Sequence, residues 1–498
     1  MKVYLAFCFS LAAPFLASKR FILAVLCFFC CLLIQASRFN LSIAIVSMVD
    51  HSQDVVNITH TRALNVNTHE CSNLKGEFDW DKQLQGLILG AFFWGYCVLQ
   101  SSSGWICERY GVKRVLSVAC SITTIICLVS PICARTSPYL FICLRIALGL
   151  FQCPIYPSLQ VVLTNWIPPS EKSRIFGFTF SGSALGVAAM FPFGGFLCKY
   201  GFDGGWPSVF YVIGICTFVW TVAWYFFASN SPQEHPTITE AELKYIQLSL
   251  GLANKKNKKK MVIPWKSIMT STATWAIIVT HFLMNYGHYM LVTQLPTYMK
   301  EVLKFDIQSN GIFSMLPFLS LWIVWMFGGV ISDFMTANQI LSVVNTRKLM
   351  TAVGAIGTAV FLIGLSYIGC DQQIIAVALV TIAVAVEGFS LSGFFINPTD
   401  IAPAYAGTIL GISNSLATLP GVIAPYVVGV LTPHGTRDEW QVSFYIAGGI
   451  FISAAVFYII FAEGEIQKWG YPLRIEEEIP LSDLPYKKPE TLRKDLNA

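Results

Sequence analysis

The stretches WPSVFYVIG at 206–214 and WQVSFYIAG at 440–448 carry Trp, Phe, Tyr and Gly at one shared spacing. Each opens a long apolar run, near 208–229 in the first case and 442–462 in the second. A second pair of marks, Gly104-x-x-x-Glu108 and Gly329-x-x-x-Asp333, closes two other apolar runs at a comparable offset. Matching marks at matching places imply two halves built on one plan, related by an axis along the membrane normal.

Outward from these marks, runs of about 20 apolar residues fall near 20–49, 83–106, 115–134, 139–163, 175–198, 208–229, 273–295, 311–333, 349–369, 374–396, 406–431 and 442–462. Each is long enough to cross a hydrocarbon core about 30 Å thick. Of 498 residues, 55% are hydrophobic and 12% charged, the inverse of a soluble multidomain chain. The expectation is an all-α membrane protein of twelve transmembrane helices. Its parts are a six-helix half over 1–229 with a long loop at 50–82, a linker at 230–272, a second six-helix half over 273–462 and a tail at 463–498.

The net charge of +5 is a topology signal and gives no reason to expect nucleic acid as a partner. Arg109, Lys113, Arg114, Lys172, Arg174, the run Lys255 to Lys260, Arg347, Lys348 and the tail all fall on one side, which places both termini in the cytoplasm. On the other side the sequon Asn57-Ile58-Thr59 offers a glycan acceptor, whereas Asn40-Leu41-Ser42 matches the same pattern inside a span and reads as chance. Residues 3–17 are apolar and short, and read as a cytoplasmic or interfacial stretch rather than a cleaved signal. The 15 cysteines sit mostly inside spans and set no disulfide framework, although Cys71 and Cys370 face the non-cytoplasmic side. In the linker, Thr239-x-x-Glu242 has the form of a capping box opening a short amphipathic helix through Leu243 and Ile246. The lysine run after it reads as a solvated stretch, with anionic lipid as the alternative contact. No nucleophile–base pair and no metal-ligand spacing appears, so neither an enzyme nor a metal site is expected.

Gly104-Trp-Ile-Cys-Glu108-Arg109-Tyr-Gly111-Val-Lys113-Arg114 resembles the major facilitator signature between the second and third helices. The stretches ASRFNLSIAIVSMV (36–49), GLILGAFFWGYCVLQ (86–100), NWIPPSEKSR (165–174) and PTITEAELKYI (236–246) resemble the anion:cation symporter family within that superfamily. So do LPTYMKEVLKFD (295–306), YIGCD (367–371), SGFFINPTDIAPAYAGTILGISN (392–414) and EWQVSFYIAGG (439–449), which are nearest to the sialin branch. The resemblance covers roughly 20–470 and implies the major facilitator fold, with a central polar cavity lined by spans one, four, seven and ten. It assigns gating to Gly104, Glu108, Arg109, Gly111, Lys113, Arg114 and, in the second half, Asp333.

The strongest polar residues sit on those four spans. Gln35, Arg38 and Ser42 share one face of span one, and Arg145, Gln152 and Tyr156 follow at spacings of seven and four on span four. Span seven has His281, Asn285 and His288, and span ten has Glu387 and Ser390. A charge at the bilayer centre costs about 2.5–3.5 kcal/mol on insertion scales, so each should face a wet cavity or a partner. Arg38 and Arg145 match family arginines and are expected to hold substrate, with a structural ion pair and a snorkelling stem as their plainer readings. His281 matches a histidine of the sialin branch and reads either as a proton site or as a histidine satisfied by a carbonyl. His288 has no family counterpart and reads as packing, as do Gly149, Gly182 and Gly186.

The departures from the family pattern are as informative. Gln152 stands where sialin and the glutamate transporters carry a glutamate, as the sodium-phosphate branch also has it, and Leu148 replaces another sialin glutamate. Leu89 and Met284 replace a histidine and an arginine of the vesicular glutamate branch, and Ser102-Ser103-Gly104 replaces Pro-Gly-Gly. Glu387 stands where sialin has glycine; it is the candidate ion-coupling acid, with a permanent pairing to Arg145 or Arg38 as the alternative. The expectation is a monomeric secondary transporter of small organic anions of the sialic acid, acidic sugar or acidic amino acid type, in a plasma, lysosomal or vesicular membrane. It would need no cofactor beyond a proton or sodium as coupling ion. A sodium-dependent phosphate cotransporter is the nearest alternative, and a non-transporting receptor the alternative from another class.

Overall fold

The computed structural model describes residues 18–49, 76–100, 103–168, 171–250 and 263–471. Asn57, Cys71, residues 3–17, the run Lys255 to Lys260 and most of the tail lie outside them, as do the side chains of Gly104, Glu108, Lys172 and Arg174. In the first half the helices are α1 (Lys19–Met48), α2 (Lys82–Leu99), α3 (Ser103–Tyr110), α4 (Val112–Thr136), α5 (Pro138–Gln152), α6 (Ile155–Trp166), α7 (Lys172–Tyr200) and α8 (Trp206–Phe227). The linker holds α9 (Glu240–Ser249) and α10 (Trp265–Thr270). The second half follows with α11 (Thr272–Glu301), α12 (Ile307–Ala337), α13 (Val343–Leu365), α14 (Gln373–Ser390), α15 (Asn397–Ile401), α16 (Ala406–Ala417), α17 (Pro420–Leu431) and α18 (Arg437–Phe461).

Helix starts follow local chemistry. Ser18, Asp81, Asp306 and Ser342 each accept a backbone N–H from the first turn of α1, α2, α12 and α13, and Thr436 with Glu439 makes a full capping box for α18. Pro154 has no N–H to continue the ladder, so the fourth span breaks into α5 and α6 at Cys153-Pro154. The tenth relaxes into a π turn over Leu391–Phe395, directly after α14.

Twelve spans were the expectation; ten helical segments of the described chain are long and apolar enough to cross a membrane. The two long helices outside that number are α2 and α11. Lys82, Gln83 and Gln85 open α2, and His281, Asn285, His288 and Gln294 dilute the apolarity of α11.

Within the first half α1 packs on α7, α2 on α5 and α4 on α8; within the second, α13 packs on α14 and α18. Glycines let these backbones touch, as expected for Gly149, Gly182 and Gly186. A Cβ at Gly149 would overlap the Phe92 carbonyl on α2, and one at Gly182 or Gly186 the Phe28 or Leu32 carbonyl on α1. The halves meet through α7 with α12, α2 with α17 and α1 with α11. Their contacts gather at the end of the bundle opposite Arg20, Arg109 and Lys113. There Lys300 donates to the Val46 carbonyl (2.6 Å), Lys199 reaches Gln308 (2.9 Å) and Lys82 pairs with Glu301, whose carboxylate also accepts the Trp440 indole N–H (3.1 Å).

The linker corrects one local expectation. Thr239 caps α9 by accepting from the Glu242 N–H, but the Glu242 side chain does not return the bond. It turns to the start of α1, accepting from the Lys19 and Arg20 backbone N–H groups (both 3.1 Å) and from Arg20 Nε (3.2 Å). The Arg20 guanidinium also grips Glu171 at 2.6 Å. A buried cation on α1 therefore outcompetes the local cap for the carboxylate.

Candidate functional site

Arg38 sits on α1, almost wholly buried, its guanidinium 4.5 Å from the ring centres of both Phe92 and Tyr96 of α2. Phe92 and Tyr96 are four residues apart, so one helical face supplies both π surfaces. Arg38 Nε and Nη2 have no partner among the described residues, nor does Gln35 Oε1 on the same face. Nε and Nη2 are adjacent edges of the guanidinium plane, the fork that binds a carboxylate with two parallel hydrogen bonds.

Arg145 serves a different end. Its Nη2 donates to the Arg38 carbonyl (2.8 Å) and its Nη1 to the Ser37 carbonyl (3.4 Å) and Asn40 Oδ1 (3.5 Å). The guanidinium thus ties α5 to the stretch of α1 that presents Arg38, and it lies inside the bundle rather than snorkelling outward. Gln152 adds a second tie, Nε2 to Ser37 Oγ at 2.8 Å. Tyr156 pairs with Ser183 of α7 (3.0 Å) and stacks on Phe180. Asn40, buried inside α1, confirms that its sequon is a chance match.

In the second half His281 Nδ1 meets Ser413 Oγ on α16 at 2.8 Å, between Phe394 and Phe395, so a side-chain hydroxyl satisfies it where a carbonyl was one of the readings. Glu387 pairs with neither arginine. Its Oε1 lies 3.1 Å from His288 Nδ1, and its buried Oε2 has no partner among the described residues. His288, expected only to pack, is the residue that answers Glu387 across α11 and α14. Among the described residues, Arg38 and Arg145 have no ion-pair partner, so the first half presents uncompensated positive charge.

The signature loop is ordered by a side chain the motif does not contain. Gly111 takes φ +81° just before α4, and Asn230 Oδ1 accepts the Lys113 N–H at 2.9 Å. Arg109 is exposed, and Arg114 and Asp333 are also solvent-facing. In the second half the matching region is held by Arg347, which bonds Asp400 (2.8 Å), Ser332 (2.7 Å) and the Ser392 carbonyl (3.0 Å). Sequence reasoning missed Ser37, Phe92, Tyr96 and Asn230. The i, i+4 aromatics of FFWGYC were the available signal for two of them. An apolar recess of about 590 Å³ between α12 and α14 shares no residue with this polar group.

A helical bundle in two halves, with buried cations in one and a buried acid in the other, is the arrangement of a polytopic membrane transporter. Residues 27–425 match the family model of the Major Facilitator Superfamily, and the chain belongs to that family. It is 38% identical to human sialin over 464 residues, covering 92% of each chain. It is 37% identical to a putative inorganic phosphate cotransporter of Drosophila ananassae over 471 residues, covering 93% of this chain and 96% of the relative. The fold matches the crystal structure of a bacterial homologue of the human lysosomal transporter Spinster in an inward-facing, unoccupied conformation. That match has a TM-score of 0.67 at 13% identity and covers 90% of this chain and 97% of the other.

Proposed function

We propose that this transporter moves small organic anions of the sialic acid, acidic sugar or acidic amino acid type, driven by a proton gradient. The observation that carries the reading is the Arg38 fork: Nε and Nη2 unpartnered, the guanidinium set against two neighbouring rings, and no carboxylate paired with it among the described residues. A carboxylate bound there gains two charge-assisted hydrogen bonds in a low-dielectric site. Arg145 and Gln152 position the fork, and Tyr156 lies beside it as a further polar contact. Glu387 is the coupling acid in this reading, with His281 as the second proton candidate.

The halves rock about this site, opening and closing each end in turn. Gly104, Glu108, Arg109, Gly111, Lys113, Arg114 and Asp333 gate the basic end, which we place in the cytoplasm with both termini, and Asn57 faces the other side. The protein works as a monomer in a plasma, lysosomal or vesicular membrane. The test is flux into proteoliposomes with radiolabelled sialic acid, glutamate and phosphate under imposed proton or sodium gradients. Proton-driven accumulation of an organic anion supports the reading. Sodium-driven phosphate uptake would replace it with the cotransporter alternative, which Gln152 favours, and no flux with any probe would leave the receptor.

A further inference from the structure

We propose that His288 and Glu387 form a single proton-binding unit, with His288 as the site that gains and loses the proton. This rests on the transport reading above, keeps Glu387 in the coupling site as the carboxylate partner and moves the titrating proton to a residue that neither the resemblance nor the motifs single out. Three observations support it. The two side chains meet at 3.1 Å across α11 and α14, so the bond bridges two helices of one half. Glu387 Oε2 is buried and has no donor among the described residues, so His288 is the one group that satisfies this carboxylate. The His288 side chain is 30% exposed against 10% for Glu387, so the imidazole is the less enclosed member of the pair.

Few other groups compete. The His288 ring lies beside Tyr289 on its own helix (ring centres 5.8 Å apart) and Phe318 of α12 (6.5 Å), and among the described residues Glu387 is the charged group that acts on it. Arg38 of α1 and Tyr96 of α2 act on the neighbouring Tyr289. On α12, α13 and α18 the charged residues Asp333, Arg347, Lys348, Arg437, Asp438 and Glu439 lie near helix ends, and α16 and α17 have none.

With imidazolium and carboxylate paired, the unit is neutral. When the Nδ1 or Nε2 proton leaves to water, a neutral imidazole faces a bare carboxylate and the unit carries one negative charge. That charge disfavours a second anion in the same bundle, so proton and substrate occupancy support one another. By linkage, anion binding must then take up protons. The titrating group of the coupling site is thus a histidine, whose ordinary range spans the pH difference between cytoplasm and an acidic lumen.

The full-length protein in nanodiscs, labelled with 13C-histidine, tests the unit without any substrate. Of the seven histidine signals, the one that vanishes in His288→Gln should titrate between about pH 5 and 8 and move its midpoint by more than about one pH unit in Glu387→Gln. The exchanged pair, His288→Glu with Glu387→His, should restore a coupled titration. A midpoint unmoved by Glu387→Gln overturns the proposal. In proteoliposomes, proton-driven accumulation of radiolabelled sialic acid should fall at least tenfold in both single variants and recover in the exchanged pair. Full accumulation in His288→Gln also overturns it. If the wild type moves no probe anion, the transport reading fails, while the titration still decides whether the unit exists.

Discussion

Arg38 and Arg145 are both buried cations near one another, yet their surroundings predict opposite phenotypes. Arg38→Ala removes an unsatisfied fork and should lower anion flux at least about 100-fold, the worth of roughly 3 kcal/mol of charge-assisted hydrogen bonding. Melting temperature and membrane abundance should stay near wild type, and Arg38→Lys should rescue poorly because an ammonium lacks the planar fork. Arg145→Met instead removes the donors to the Ser37 and Arg38 carbonyls, so it should lower thermal stability by about 1–3 kcal/mol along with flux. A variant at Arg145 that melts like wild type and fails only in substrate binding would make it a ligand rather than a tie. Sequence alone could place Arg38, Gln152, His281 and Glu387 on the right helices, because buried polar residues in apolar runs are conspicuous. It could not pair Glu387, since His288 is 99 residues away on another helix and no local pattern records that meeting.

The linker helix shows the same limit one level up. Local chemistry anticipated α9 and its Thr239 cap, and it assigned Glu242 to a reciprocal bond that Arg20, 222 residues away, takes over. Thr239→Ala should therefore cost about 1 kcal/mol, confined to the exchange protection of α9 amides. Glu242→Ala should cost more, about 1–3 kcal/mol, and register in the melting of the whole protein. It strips an acceptor from Arg20 and from two N–H groups at the start of α1 while Glu171 still holds the guanidinium. Equal effects of the two substitutions, read by hydrogen exchange and by thermal melting, would deny that Glu242 fastens the linker to the first half. At the signature loop, Glu108→Ala should slow alternation while sparing intrinsic anion affinity, because a gate acts on the balance between states. Binding measured beside turnover separates the two.

At the scale of the molecule the two halves are joined at one end, where Glu301 receives both Lys82 and the Trp440 indole. Glu301→Gln should weaken that closure. If the charge is worth about 1.4 kcal/mol, the open population rises about tenfold. Spin labels at Gln83→Cys and Val430→Cys, on facing helices at that end, should report a larger share of long distances. An unchanged distribution would mean that the ion pair is incidental to closure. The major facilitator fold was readable from sequence through the GWICERYGVKR signature and the run of apolar spans. Which end is shut was not readable, because a rocking transporter uses one sequence for both states and the difference lies in contacts between helices far apart in the chain.

The backbone contacts at the glycines also sort the protein's inherited variation. Every single-base change of a glycine codon that alters the residue adds at least one carbon. At Gly86, Gly95, Gly149 and Gly429 that carbon meets the main chain of a neighbouring helix, which has no rotamer to give way. At Gly177, Gly364, Gly407, Gly411 and Gly449 it meets nothing within 4 Å. Missense alleles at the first set should abolish function wherever they arise. Alanine alleles at the second should pass unnoticed, so a population survey would trace the seams between the helices.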